Sequence, residues 1–158
     1  MAATTSLTAR VRQALDAIDP DLGAFITVDR DGALERARLD PGGPLAGLIV
    51  AVKDIIDTQG IRTTYGAPRF DEHMPDRSAD VVHQLEKAGA VIIGKTNLNQ
   101  FAYGVSGYNP FYGLMRVPGS PNRTPGGSSG GSAITVAAGV CDVAVGTDTS
   151  VSRLRSAT

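Results

Sequence analysis

The sequence predicts a single α/β domain, a sheet covered by helices on both faces, and three observations predict it. Gly47 to Lys53 is a nearly continuous apolar run of strand length, the pattern of a strand buried on both sides. A second such run, Ala90 to Ile93, follows a helix-like segment through one glycine, and passages of that kind belong to layered α/β folds. Composition agrees: 158 residues, 42% hydrophobic and 20% charged, are the proportions of a soluble globular domain with its own core.

The elements follow in order. Val11, Ala14, Leu15 and Ile18 recur at helical spacing and Pro20 closes the segment, so residues 8 to 18 read as an amphipathic helix. Asp29 to Pro44, rich in charge, glycine and proline, reads as a polar connection to the first buried strand. Asp80 to Gly89 reads as a helix capped by Asp80 and ended by Gly89, with Val81, Val82, Leu85 and Ala88 on its apolar face. Residues 104 to 132 hold eight glycines, five serines and four prolines and read as a long loop; such loops inside a compact domain are more often functional than decorative. Residues 133 to 140 form a further predicted helix and Val143 to Val145 a short strand.

The charge balance narrows the partners. The net charge of -1 comes from 15 basic and 16 acidic side chains spread along the chain, and no basic stripe exists for nucleic acid or a membrane surface. The longest apolar run, Leu48 to Val52, is far too short for a bilayer span and no secretory h-region opens the chain, so a cytoplasmic protein is expected. Cys141, the single cysteine, reads as a small buried hydrophobe. Neither a cofactor nor a metal is expected.

One motif points elsewhere. Gly89 to Thr96 matches the phosphate-loop pattern, but that chemistry needs the intervening residues to be a loop between a strand and a helix. Here they are Ala-Val-Ile-Ile, the strand itself, with a helix before it. Amides held in a sheet ladder do not wrap a phosphate, and Lys95 and Thr96 are expected at a strand end.

Three segments carry chemistry. Ala51-Val-Lys53-Asp54 ends the apolar strand on a lysine, where burial would disfavour the charged form. A neutral lysine is a general base, although this segment alone fits better a lysine snorkelling into water. Pro125-Gly-Gly-Ser128-Ser129-Gly-Gly-Ser132-Ala133 sets serine hydroxyls before a predicted helix, and alone it fits a flexible turn and cap as well. Gly146-Thr-Asp148-Thr149-Ser150-Val151-Ser152 follows a short strand, where small residues would let backbone N–H groups face a developing oxyanion.

Together these segments resemble the amidase signature family, whose members cleave amides with a Ser, a cis-configured Ser and a Lys. The resemblance runs from about Gly43 to Thr149. It rests on Gly43-Pro-Leu-Ala-Gly47 leading into Ala51-Val-Lys-Asp54, on Gly94-Lys-Thr-Asn97 and Phe101-Ala-Tyr-Gly104, and on Pro125 to Ser132 and Gly146-Thr-Asp-Thr149. It implies a central mixed sheet with helices on both faces, of which residues 1–158 form a partial amidase domain: an N-terminal helical segment over about 1–40, a signature core over about 43–152, and the C-terminal part of the fold missing. Residue by residue, it makes Lys53 the base, Ser128 the cis-serine that relays the proton, and Ser152 the nucleophile. The backbone N–H groups of Thr149, Ser150, Val151 and Ser152 become the oxyanion hole. The separations, 75 residues from Lys53 to Ser128 and 24 from Ser128 to Ser152, are those expected in the family.

The implied reaction cleaves a small-molecule carboxamide to a carboxylate and ammonia or an amine through a serine acyl-enzyme. A second reading within the family is the glutaminase component of a tRNA-dependent amidotransferase, with the other amidotransferase subunits as partners; a third is a non-catalytic remnant, and a homo-oligomer is open. The family pattern has two glycines before the nucleophile, where this chain has Ser150 and Val151. Loss of one oxyanion donor costs roughly 3 kcal/mol of transition-state stabilisation. The chain also stops six residues after Ser152, as a truncated copy would, and is expected to be inactive or nearly so by itself.

Overall fold

The computed structural model describes residues 6–148. In chain order these form α1 (Leu7–Asp16), β1 (Phe25–Val28), α2 (Arg30–Leu39), β2 (Ile49–Lys53), α3 (Asp80–Lys87), β3 (Val91–Thr96), β4 (Tyr108–Asn109), β5 (Gly113–Leu114), α4 (Gly130–Ala137) and β6 (Val143–Val145). The main sheet has the order β1-β3-β2-β6. It is mixed, because β2 runs parallel to β3 and β6 while β1 is antiparallel to β3. Every residue of β2 and β3 is buried, as their unbroken apolar runs require.

Alternation along the strands divides the core into two layers. Ile49 and Ala51 of β2 and Val91 and Ile93 of β3 meet Val11 and Leu15 of α1 and Ala33, Leu34 and Ala37 of α2. Val50, Val52 and Ile92 face the other way, onto Val82 of α3 and onto Ile56 and Ile61. Helices therefore cover both faces. The ten residues of α1 are too few for a helix stable in water, so its buried stripe of Val11, Ala14 and Leu15 holds it.

A register shift in the β2–β3 pairing interrupts this alternation: Val50 pairs with Ile92 but Ala51 with Gly94, so the faces of β3 are exchanged beyond Ile93. Lys53 pairs in register with Thr96, and Val52 with Lys95. Lys53 and Thr96 thus lie on the α4 side of the sheet, and Lys95 lies on the side of Val52.

Several expectations are corrected. The stretch from Asp29 to Pro44 contains α2, which the Asp29 side chain caps by accepting from the Gly32 N–H at 3.3 Å. Its buried residues are only Ala33, Leu34 and Ala37, too faint an apolar stripe beside its charges. Phe25–Val28, unassigned in the sequence, pairs with β3. Asp80 is the first helical residue rather than the cap: Ala79 holds that position with no side-chain bond. Val81, expected on the apolar face, is 45% exposed, whereas Val82 is fully buried. The predicted loop carries the short β4–β5 hairpin, and α4 begins at Gly130 rather than at residue 133. Among the described residues no helix is long and apolar enough to cross a membrane.

Candidate active site

The site forms where β2 ends. Lys53 is completely buried, which removes the snorkelling alternative. Its Nζ lies 2.7 Å from Ser128 Oγ and 2.8 Å from Thr147 Oγ1. Burial pushes the Lys53 ammonium down to about 8, while the Asp148 carboxylate pulls the other way. At that value a useful fraction of the amine is neutral near physiological pH. The neutral amine can accept the Ser128 hydroxyl proton across the same contact.

Ser128 reaches this point because the end of its loop is anchored. The Gly131 N–H, in the first turn of α4, donates to the Asn97 carbonyl at 3.1 Å. Ser132 Oγ meets Thr96 Oγ1 at 2.8 Å and donates to the Val145 carbonyl at 3.0 Å, tying α4 to β3 and β6. The peptide bond between Gly127 and Ser128 is cis. The serine itself is 5% exposed.

The segment after β6 is held to the same loop. Ser129 Oγ donates to the Thr147 carbonyl at 3.1 Å and accepts from the Thr147 N–H at 3.3 Å. Because β6 runs parallel to β2, the residues after both strands emerge at one end of the sheet. Thr147 and Lys53 meet there.

Behind the sheet lies a second polar cluster. Lys95 and Asp54 are both fully buried, with Nζ and Oδ1 3.4 Å apart. Lys95 Nζ also donates to the Ile56 carbonyl at 2.7 Å and to Thr63 Oγ1 at 2.6 Å. Asp54 Oδ2 accepts from the Thr64 N–H at 2.9 Å. Burial pushes Lys95 down to about 8 against the attraction of Asp54, and burial raises Asp54 against the attraction of Lys95. With three partners on Nζ, this lysine works as a fastener. No phosphate loop exists here, since residues 91 to 96 are strand.

Lys53 and Ser128 are thus brought together, whereas Thr149, Ser150, Val151 and Ser152 lie outside the described residues. Sequence reasoning assigned no role to Thr147, Ser129, Ser132 or Thr96, although each stands inside a family motif. Their hydroxyls have no pattern apart from the fold that joins them. His73 lies against Tyr65, its Nε2 2.9 Å from the phenol oxygen, and His83 is exposed on α3. Cys141 is buried. Among the described residues no cluster of His, Cys, Asp and Glu could hold a metal ion.

A protein-family model described as Amidase matches residues 6–154. The glutamyl-tRNA(Gln) amidotransferase A subunit of Koribacter versatilis is 44% identical over 156 residues, covering 94% of this chain and 32% of that protein. Among solved structures, the peptide amidase of Stenotrophomonas maltophilia superposes with a TM-score of 0.81 at 32% identity, over 89% of this chain and 32% of the other. The glutamyl-tRNA(Gln) amidotransferase A subunit of Thermotoga maritima gives 0.76 at 34% identity, over 89% of this chain and 30% of the other. The chain spans about a third of the length of the curated relatives it matches.

Proposed function

The chain belongs to the amidase family, and from that premise we propose that Lys53 and Ser128 are the proton-transfer half of an amide hydrolase. The observation that carries this reading is the 2.7 Å contact between Lys53 Nζ and Ser128 Oγ in a buried site. Neutral Lys53 takes the Ser128 proton as Ser128 takes one from the Ser152 hydroxyl, whose oxygen attacks the amide carbonyl. Backbone N–H groups over Thr149 to Ser152 bind the resulting oxyanion. The relay runs backwards to protonate the departing amine, and water releases the acyl group as a carboxylate.

The substrate class that fits best is the side-chain carboxamide of glutamine, with the other amidotransferase subunits as partners in a cytoplasmic setting. This follows from relatives such as the Koribacter versatilis protein, 44% identical, which is named as part of an amidotransferase. A general carboxamide is the second reading, supported by the peptide amidase likeness. In either case Ser150 and Val151 replace the glycines of the family pattern. A β-branched residue resists the backbone conformations that glycine adopts, so these 158 residues by themselves are inactive or nearly so.

A fluorophosphonate probe tests this. The unaltered chain is expected to label at Ser152 weakly or not at all. The double variant Ser150→Gly, Val151→Gly is expected to label on the order of 100-fold faster, the scale of one oxyanion donor. That labelling should vanish on adding Lys53→Ala or Ser128→Ala. Labelling that persists without Lys53 would contradict the assignment, and strong labelling of the unaltered chain would overturn the inactivity.

A further inference from the structure

We propose that Asn99 is a positioning residue for Ser128: its buried amide seats Gly127 and thereby fixes the neighbouring serine hydroxyl against Lys53. The inference rests on the proposed role of the Lys53–Ser128 pair.

Asn99 is 4% exposed. Its Nδ2 donates to Ser106 Oγ and to the Tyr108 carbonyl, each at 3.0 Å, which ties the 104–108 segment to the end of β3. Those two bonds would suffice for a residue that only staples a turn. The other end of the amide is what such a role leaves unexplained. Among the described residues Oδ1 is buried with no hydrogen-bond partner, an arrangement that native structures rarely keep without a reason.

Gly127 supplies the reason. A Cβ built on Gly127 would fall 2.0 Å from Asn99 Oδ1 and 3.1 Å from Cγ. The Cα–H bond that occupies that direction therefore points at the orphan oxygen, a weak Cα–H···O contact. Gly127 is also close to the Gly104 carbonyl, which a Cβ there would approach at 3.3 Å, and a Cβ on Gly104 would lie 3.1 Å from Asn99 Nδ2. The amide is thus wedged between two glycines, one in the 104–108 segment and one bonded directly to Ser128. Any movement of Asn99 is passed through one peptide to the Ser128 hydroxyl.

The test uses the fact that Lys53, Lys87 and Lys95 are the chain's lysines. Lysine carbon-13 NMR of the full chain then follows Lys53 and Lys95 separately. Lys95 sits in its own buried cluster on the other side of the sheet and reports whether the fold is intact. Asn99→Ala should move the Lys53 midpoint by about half a unit or more, a roughly threefold change in proton affinity, and leave Lys95 in place. Added to Ser128→Ala, the same substitution should change Lys53 no further, since its effect runs through the serine. A Lys53 midpoint unmoved by Asn99→Ala, or moved equally with and without Ser128, overturns the proposal.

If Lys95 shifts as well, the fold has been lost with Asn99 and Gly127→Ala decides. Its methyl group should move Lys53 alone, and an unmoved Lys53 overturns the seat. An unaltered chain whose Lys53 titrates as an ordinary lysine would instead refute the base assignment, whatever Asn99 does.

Discussion

A lysine amine accepts a proton only after losing its own, and at Lys53 burial is the leading cause that brings this loss down to about pH 8. The lowered value has a consequence for stability. Between about pH 8 and the ordinary lysine value near 10.5, the unfolded chain holds a proton that folded Lys53 has shed. Stability therefore rises with pH across that window, and below it the penalty is constant. Lys53→Met should remove this share of the rise, roughly 3 kcal/mol over the full window, measured as the urea midpoint against pH. Lys95, also lowered to about 8 by burial, adds a rise of the same sense, and Cys141 and Tyr65, both raised by burial, oppose it at the alkaline end, so the quantity to read is the difference between Lys53→Met and the unaltered chain at each pH. An unchanged slope in the variant would contradict the buried-base account. That Lys53 ends a buried strand was legible in the sequence. That Thr147 Oγ1 would meet its amine was not, because 94 residues separate the two.

At the scale of elements, what holds Ser128 in place is the approach of α4 to β3. Gly131 makes that approach possible: a Cβ there would come within 2.5 Å of the Ala24 and Asn97 carbonyl oxygens. Gly131→Ala must push the helix off the sheet and should cost about 3 kcal/mol, the upper range for overpacking. A loss under about 1 kcal/mol in urea unfolding would show that α4 has room to shift. Strands with unbroken apolar runs, β2 and β3, were readable because nothing but burial on both faces explains Ile49 to Val52 or Val91 to Ile93. Helix α2 was not, since two of its three buried residues are alanines. The face of α3 was misjudged by one position for a related reason. Adjacent valines at 81 and 82 are equally apolar in sequence, and only packing decides that Val82 goes inside.

For the molecule as a whole, the site depends on connectivity. Lys53 ends β2, Thr147 follows β6, and Ser128 precedes α4, so three distant stretches converge only when two parallel strands and one helix are all in place. Ordered motifs made the family legible, because segments such as Pro125 to Ser132 keep a residue pattern independent of distance. The hydroxyls that hold the segments bearing Lys53 and Ser128 together were not, because Thr96 comes from β3, Ser129 and Ser132 from the cap and first turn of α4, and Thr147 from the segment after β6. The proposed role of Lys53 as a base beside Ser128 requires that folding, and not local sequence, lowers the proton affinity of its amine. Lysine carbon-13 titration of the chain, folded and in denaturing urea, tests it directly. The Lys53 midpoint is expected at about 8 in the folded chain and at about 10.4 in urea, with Ser128→Ala shifting the folded value only. A folded Lys53 that titrates as it does in urea would contradict that role.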